Sequence, residues 1–239
     1  MIISMFLSHL VGDYVLQWDS LAMWKARAMS GIIAHCLVVA AVTFLFAMPF
    51  GGNWWQIALM ISIGHFIIDA VQLPITSRPS PPGMFALARF TADQVAHALV
   101  ILGALYWGGY LNFGNMAAYT MAEIRAMPQL VYIFGYTCLA MPAWVMLEFI
   151  IYGLVKGSAP DFSRATNKYV GSMERWLIMT CVLLGQYLLV PLVAAPRFLF
   201  ERPRINDADT REMNLYIAKL LASIMLAVTL GLVLRRLVP

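Results

Sequence analysis

Three polar side chains recur at four-residue intervals in an apolar stretch near the start of the chain. They are His9, Asp13 and Gln17. Residues four apart lie on the same face of an α-helix, so this spacing predicts a polar stripe along one helical face. An imidazole and a carboxylate one turn apart can bind one metal ion or exchange protons with a substrate. Inside a membrane such groups are costly to bury and usually mark a functional site.

The composition indicates an integral membrane protein. Of its 239 residues, 62% are hydrophobic and 12% are charged, whereas soluble domains carry roughly 25% charged residues. The formal net charge of +4 is modest, and no basic patch interleaved with aromatic residues indicates a nucleic-acid partner. The three cysteines lie far apart, and the absence of a CxxC pair gives no support for a disulfide framework or a thiolate zinc site.

The hydropathy pattern predicts an all-α fold, a polytopic membrane helix bundle of about seven spans, each of which needs about 20 residues. We place the spans near residues 1–18, 30–49, 54–75, 90–110, 129–155, 175–197 and 213–234. The first of these is the shortest. We expect a four-helix N-terminal half, residues 1–110, that carries the polar residues, and a three-helix C-terminal half, residues 111–239.

Charged residues in the predicted connections indicate the orientation of the spans. Basic residues collect after the first, third, fifth and last spans: Lys25, Arg27, Arg78, Arg89, Lys156, Arg164, Lys168, Arg175, Arg235 and Arg236. By the positive-inside rule, loops rich in lysine and arginine face the cytoplasm. The pattern therefore predicts a multi-pass protein whose C-terminus is cytoplasmic.

A short internal repeat relates the first four predicted spans. The first and third spans share the pattern H-x3-D, and the second and fourth share A-H-x-L-V. Two similar hairpins that run in the same direction would form a parallel repeat about an axis along the membrane normal. The match is short, so chance similarity between apolar sequences stays open as the alternative.

The histidines and aspartates of the first four spans fall at similar depths. At about 1.5 Å per residue, all of them lie in the predicted cytoplasmic half of the membrane. Buried carboxylates repel one another and lose hydration, so they require protons, cationic partners or a metal ion. Imidazole and carboxylate ligands suit zinc, iron or manganese. The sequence therefore predicts a divalent metal site, with these candidate ligands: His9, Asp13, His35, His65, Asp69, Asp93 and His97.

The leading functional hypothesis is a metal-dependent hydrolase that acts on a lipid or lipid-linked phosphoester. A metal ion can lower the pKa of a water molecule and polarise a phosphoryl oxygen. We predict catalytic roles for Asp13, Asp93 and Gln17. Four basic residues at the cytoplasmic ends of the spans act as topology determinants or hold an anionic headgroup at a substrate rim: Lys25, Arg27, Arg78 and Arg89.

Two other functions use the same residue types. Direct His–Asp hydrogen bonds between helices would suit a non-catalytic structural or accessory subunit of a larger membrane complex, whose partners are other membrane subunits. A proton or ion transporter needs a polar path to both sides of the membrane, and the outer half of the spans offers few candidates. Lipid is the expected partner in every case.

The motifs resemble those of a family of bacterial membrane proteins that is catalogued only as a domain of unknown function. The resemblance is carried by H-L-x-G-D-x-x-L-Q from His9, by D-Q-x-x-H from Asp93 and by G-x-x-E-R from Gly171. One departure is Arg197, which stands near a position where a lysine is expected. The resemblance implies a location in the bacterial inner (cytoplasmic) membrane and supports the importance of the polar residues. It implies no established activity.

Overall fold

The computed structural model describes residues 1–76, 82–158, 160, 162, 168–200 and 210–238. The described residues form α-helices joined by short turns and contain no β-strand, which confirms the predicted all-α class. The helices are α1 Ile2–Leu10, α2 Asp19–Lys25, α3 Met29–Ala47, α4 Trp54–Thr76, α5 Gly83–Trp107, α6 Met116–Ala126, α7 Pro128–Leu139, α8 Met141–Ile151, α9 Lys168–Leu183, α10 Leu189–Phe200 and α11 Thr210–Leu237.

Within the described residues, four helices are long and apolar enough to cross a membrane, namely α3, α4, α5 and α11. Helices α7 and α8 qualify together as a fifth span, which is bent by 41° where they meet. Two shorter apolar segments, Ile2–Val15 and Leu189–Leu199, coincide with the first and sixth predicted spans but do not qualify alone. The prediction of a multi-pass membrane protein is confirmed for four or five spans. The count of seven and the internal repeat stay predictions.

The chain divides into two compact units. Unit 1 comprises Met1–Ser80 and Arg89–Thr137, and unit 2 comprises Pro81–Ala88 and Cys138–Pro239. In unit 1, α3 packs against α1, α2 and α4. An apolar core at one end of these helices is centred on the fully buried residues Met5, Ile57 and Leu105. This packing holds the helices that carry the histidines and aspartates.

Helix α1 ends in a π-helical turn, Val11–Val15, which includes Asp13. Its backbone makes a hydrogen bond from the Leu16 amide to the Val11 carbonyl, 2.8 Å long. Turns of this kind are rare and often occur at functional sites. Gly12 lies within the turn, and a Cβ atom there would be only 3.1 Å from the Cα of Val39. The glycine thus permits the close approach of α1 to α3 that places Asp13 beside the second span.

Helix α2 packs its C-terminal end directly onto the start of α3. A Cβ atom at Gly31 would lie 2.4 to 2.6 Å from backbone atoms of Trp24 and Lys25. No real side chain tolerates such distances, so only glycine allows this contact between the two backbones. The consequence is that Lys25 begins close to α3, with its side chain directed into unit 1.

In unit 2, a buried arginine holds the break between α7 and α8. Arg175 is 2% exposed, and it donates hydrogen bonds to the carbonyl oxygens of Leu139 at 2.7 Å and Ala140 at 3.0 Å. Carbonyl groups freed by a helix break inside a membrane need another donor. The positive-inside pattern predicts a cytoplasmic loop position for Arg175. The structure places it in α9, where it satisfies the broken backbone.

Candidate metal centre

Four potential ligand atoms from three helical segments of unit 1 converge on one point. They are Asp13 Oδ1, His35 Nε2, His65 Nε2 and Asp69 Oδ2, and we call them the four-atom site, in which each carboxylate oxygen lies within 3.9 Å of both imidazole nitrogens. The two imidazole nitrogens are 3.2 Å apart. From His35 Nε2 the carboxylate oxygens lie at 3.1 and 3.6 Å, and from His65 Nε2 they lie at 3.9 and 3.3 Å. All four side chains are buried.

These separations match the edges of a metal coordination polyhedron. Zinc binds histidine nitrogen at about 2.0–2.1 Å and carboxylate oxygen at about 2.0–2.2 Å, usually in a tetrahedron, whose ligand atoms are then roughly 3.3–3.5 Å apart. The five separations that involve an imidazole nitrogen scatter around that value, from 3.1 to 3.9 Å. Two imidazoles and two carboxylates are also a donor set that zinc, iron and manganese accept. The residues present therefore fit a divalent cation.

The Lys25 ammonium group lies inside this cluster and not at its rim. Lys25 Nζ is 2.9 Å from Asp69 Oδ2, 3.4 Å from Asp13 Oδ1 and 3.5 Å from Gln17 Oε1. Burial lowers the pKa of Lys25, but the adjacent Asp13 and Asp69 carboxylates outweigh that effect and raise the pKa above its usual value. One ammonium group thus balances one of the two buried carboxylate charges.

A thiol group also reaches the cluster, although the sequence analysis found no support for a thiolate site. Cys36 follows His35 on α3, is 8% exposed, and places Sγ 3.7 Å from Asp69 Oδ2. The candidate ligand atoms of Cys36, His65 and Asp69 all lie within 4.8 Å of one another. The signal in the sequence was the direct adjacency of a cysteine to a predicted ligand.

Asp93 and His97 form an adjacent group on α5. His97 Nδ1 lies 3.3 Å from Asp93 Oδ1 and 2.9 Å from the Asp93 carbonyl oxygen. The Asp93 carboxylate also accepts hydrogen bonds from the side-chain amides of Gln72 and, at 2.9 Å, Gln94. A ligand atom of Asp69 lies within 4.8 Å of those of Asp93 and His97. The structure therefore joins both predicted pairs into one polar layer.

His9 lies on the other side of His65, at a small cavity of about 10 Å³. Its ring centroid is 5.0 Å from that of His97 and 5.7 Å from that of His65. The cavity is also lined by Thr43, and three buried polar atoms around it make no hydrogen bond in the structure: His9 Nε2, Thr43 Oγ1 and His97 Nε2. His9 does not contribute to the four-atom site.

The remaining predicted site residues lie outside the cluster or are not described. Gln17 contacts only its edge, through Lys25. Arg27 is exposed and Arg89 is partly exposed, and among the described residues neither forms an ion pair with the cluster. Arg78 falls outside the described residues. The structure thus brings together the predicted ligands other than His9, and it adds Lys25 and Cys36 to them.

Fold and site together define a helical membrane protein with a buried cluster of histidine, aspartate, lysine and cysteine. A family model for proteins of unknown function, DUF3307, matches residues 1–125, slightly more than half of the chain. The chain belongs to this family, and the matched part contains every residue of the cluster. No curated protein and no solved structure matches the chain.

Proposed function

We propose that this protein is a membrane-embedded, metal-dependent hydrolase that acts on a lipid-linked phosphoester. The observation that carries the proposal is the convergence of the four-atom site, whose edges of 3.1 to 3.9 Å suit a divalent cation. Asp13, His35, His65 and Asp69 would hold the ion. When bound, a divalent cation lowers the pKa of a water molecule and polarises a phosphoryl oxygen.

Asp93 is the carboxylate best placed to accept a proton from an attacking water molecule. Its side chain is 19% exposed, whereas those of Asp13 and Asp69 are 9% and 4% exposed. A general base must reach water or substrate, and Asp93 is the most accessible of the three. His97, Gln72 and Gln94 fix its orientation through their hydrogen bonds.

Lys25 is the group best placed to bind the phosphoester itself. Its ammonium group already lies beside two anionic oxygens at 2.9 and 3.4 Å. A cation within the ligand cluster can bind a phosphoryl oxygen and stabilise the charge that develops during its hydrolysis. The side-chain oxygen of Gln17 lies 3.5 Å from the same nitrogen and would help to position the Lys25 ammonium group.

A lipid substrate is supported by the apolar surface beside the cluster. The turn that follows Asp13 and helix α2 expose Val15, Leu16, Trp18, Met23 and Trp24. Tryptophan is enriched where proteins meet the headgroup region of a bilayer. A lipid that lies along this surface would bring its phosphate towards Lys25, whereas a soluble phosphoester gains nothing from the exposed apolar groups.

One observation favours a second candidate, a non-catalytic structural or accessory subunit. Lys25 ties Asp13 and Asp69 together by direct ion pairs, so the cluster can also act as an electrostatic link between α1, α2 and α4. Polar contacts of this kind join helices in membranes without any catalytic role. In that case no metal ion would be needed.

The test is the metal content of the full-length protein, purified in detergent and loaded in turn with zinc, iron and manganese. We expect about one bound ion per chain, loss of that ion in His35→Ala and Asp69→Asn, and its retention in Asp19→Asn, which changes an exposed acid on α2. The loaded protein should release phosphate from vesicles that contain a phosphatidate-type lipid. A folded protein that binds none of these ions would exclude the hydrolase and leave the structural function.

A further inference from the structure

We infer that Cys36 supplies a thiolate ligand to the metal centre and makes it selective for a borderline-soft divalent cation of the zinc type. The inference rests on the proposed metal site and deepens it, since it names the class of ion. The donor set would be Cys36, His65 and Asp69, whose ligand atoms lie within 4.8 Å of one another, and the overlapping group of Asp13, His35 and His65 would supply the remaining ligands. Cobalt and cadmium would bind as zinc does, and manganese would bind weakly.

The position of the Cys36 sulfur supports direct coordination. Sγ lies 3.7 Å from Asp69 Oδ2. A zinc ion with a Zn–S bond of about 2.3 Å and a Zn–O bond of about 2.0–2.2 Å places these two ligand atoms roughly 3.6 Å apart in a tetrahedron. The observed distance therefore suits two ligands of one ion, and without an ion the thiol donates a hydrogen bond to the Asp69 carboxylate.

Cys36 differs in this respect from the other two cysteines of the chain. Cys138 and Cys181 are partly buried, and among the described residues neither belongs to a group of potential ligands. Cys36 is 8% exposed, and its sulfur lies within 4.8 Å of a potential ligand atom of both His65 and Asp69. Its location is therefore specific to the cluster, and the other cysteines serve as matched controls.

The chemistry of the thiolate sets the preference for the ion. Sulfur ligands favour zinc and other soft or borderline ions, whereas carboxylate, carbonyl and water ligands suit magnesium and manganese. On binding, the S–H bond of Cys36 breaks, its proton passes to the solvent, and the freed electron pair forms the sulfur–metal bond. No oxidant or reductant is required.

The experiment is optical spectroscopy of the full-length protein in detergent with Co²⁺ in place of zinc. We expect a near-ultraviolet thiolate-to-cobalt charge-transfer band in the wild type. The band should persist in the double variant Cys138→Ser/Cys181→Ser, in which Cys36 is the remaining thiol. It should vanish in Cys36→Ser, with the visible cobalt bands retained and zinc affinity reduced by about tenfold or more.

The outcomes separate this inference from the proposed function. If about one cobalt ion binds per wild-type chain but no charge-transfer band appears, the role of Cys36 is overturned and the metal site stands. A band that is lost in the double variant would assign the thiolate to Cys138 or Cys181 and overturn it as well. Failure of every ion to bind would overturn the proposed function itself. Since the decisive spectra come from wild type and the double variant, poor folding of Cys36→Ser would not hide the answer.

Discussion

Lys25 Nζ lies 2.9 Å from Asp69 Oδ2, so a residue at the end of α2 provides the counter-charge for a carboxylate buried in α4. The Asp69 side chain is 4% exposed and depends on this partner. Removing one member of a buried ion pair leaves an uncompensated charge. The resulting loss of stability is much larger than the net stabilisation that the intact pair provides. This relationship governs the stability of the cluster when no metal ion is bound.

We therefore predict that Lys25→Met destabilises the metal-free protein by about 3 kcal/mol. A bound divalent cation would compensate the same carboxylates, so saturating zinc should restore most of the lost stability. Thermal unfolding in detergent, with chelator and with zinc, measures both effects. Lys25→Arg is the charge-conserving control and should lose much less stability than Lys25→Met. An equal loss with and without zinc would contradict the idea that lysine and metal ion compensate the same charge.

A second prediction concerns the contact between α2 and α3. Gly31→Ala would place a Cβ atom 2.4 Å from the Trp24 backbone, so α2 must move away and carry Lys25 with it. We expect a loss of stability of about 2 kcal/mol and a weaker response to the Lys25→Met change in the double variant. Gly103→Ala is the control, because a Cβ atom there meets nothing within 4 Å. Identical behaviour of the two alanine variants would refute the prediction.

A third prediction distinguishes the aspartate that acts as general base, Asp93, from an aspartate that binds the metal ion, Asp69. Asp93→Asn keeps the shape of the side chain but removes its ability to accept a proton, so kcat should fall by about 10²- to 10³-fold. The metal content should stay near that of wild type, because the four-atom site does not include Asp93. Asp69→Asn should lose both metal and activity. Phosphate release and metal analysis on the same preparations test this, and loss of metal from Asp93→Asn would make Asp93 a ligand.

A fourth prediction addresses the helix break in unit 2. Arg175→Gln cannot reach both carbonyl groups at Leu139 and Ala140, which the arginine holds at 2.7 and 3.0 Å. We expect a loss of about 3 kcal/mol in stability, since hydrogen bonds from a charged donor are strong and the buried Leu139 carbonyl loses this donor. Arg236→Gln, at an exposed site near the end of α11, should be nearly neutral. Unchanged thermal unfolding of Arg175→Gln would show that the break needs no arginine.

The helices and the core of the site could be predicted from the sequence because their signals are local. The intervals between His9 and Asp13 and between His65 and Asp69 place each pair on one helical face. Apolar runs of sufficient length mark the spans wherever charge is scarce. Both signals depend only on neighbours along the chain.

The positions of Lys25, Cys36 and Arg175 depend on packing, and for that reason they could not be predicted. Lys25 is predicted as a topology determinant or a rim residue, whereas its ion pairs with Asp13 and Asp69 show that its side chain points into the cluster. Arg175 is predicted as a cytoplasmic charge, whereas in the fold it donates hydrogen bonds to the carbonyl groups at the break between α7 and α8. A charged residue in an apolar sequence shows that burial would be energetically costly. Only the tertiary structure shows which group compensates that charge.

The π-helical turn at Val11–Val15 has a further consequence for the chain. Such a turn can be regarded as one extra residue within a regular helix, and each residue of an α-helix turns by about 100°. Deleting Val11 or Gly12 would place Asp13 three residues after His9 in place of four, which changes the direction of its side chain relative to His9 by about 100° in a regular helix. His9 and Asp13 could then no longer face the cavity and the four-atom site together. Chain length within these five residues is thus as constrained as the identity of the side chains.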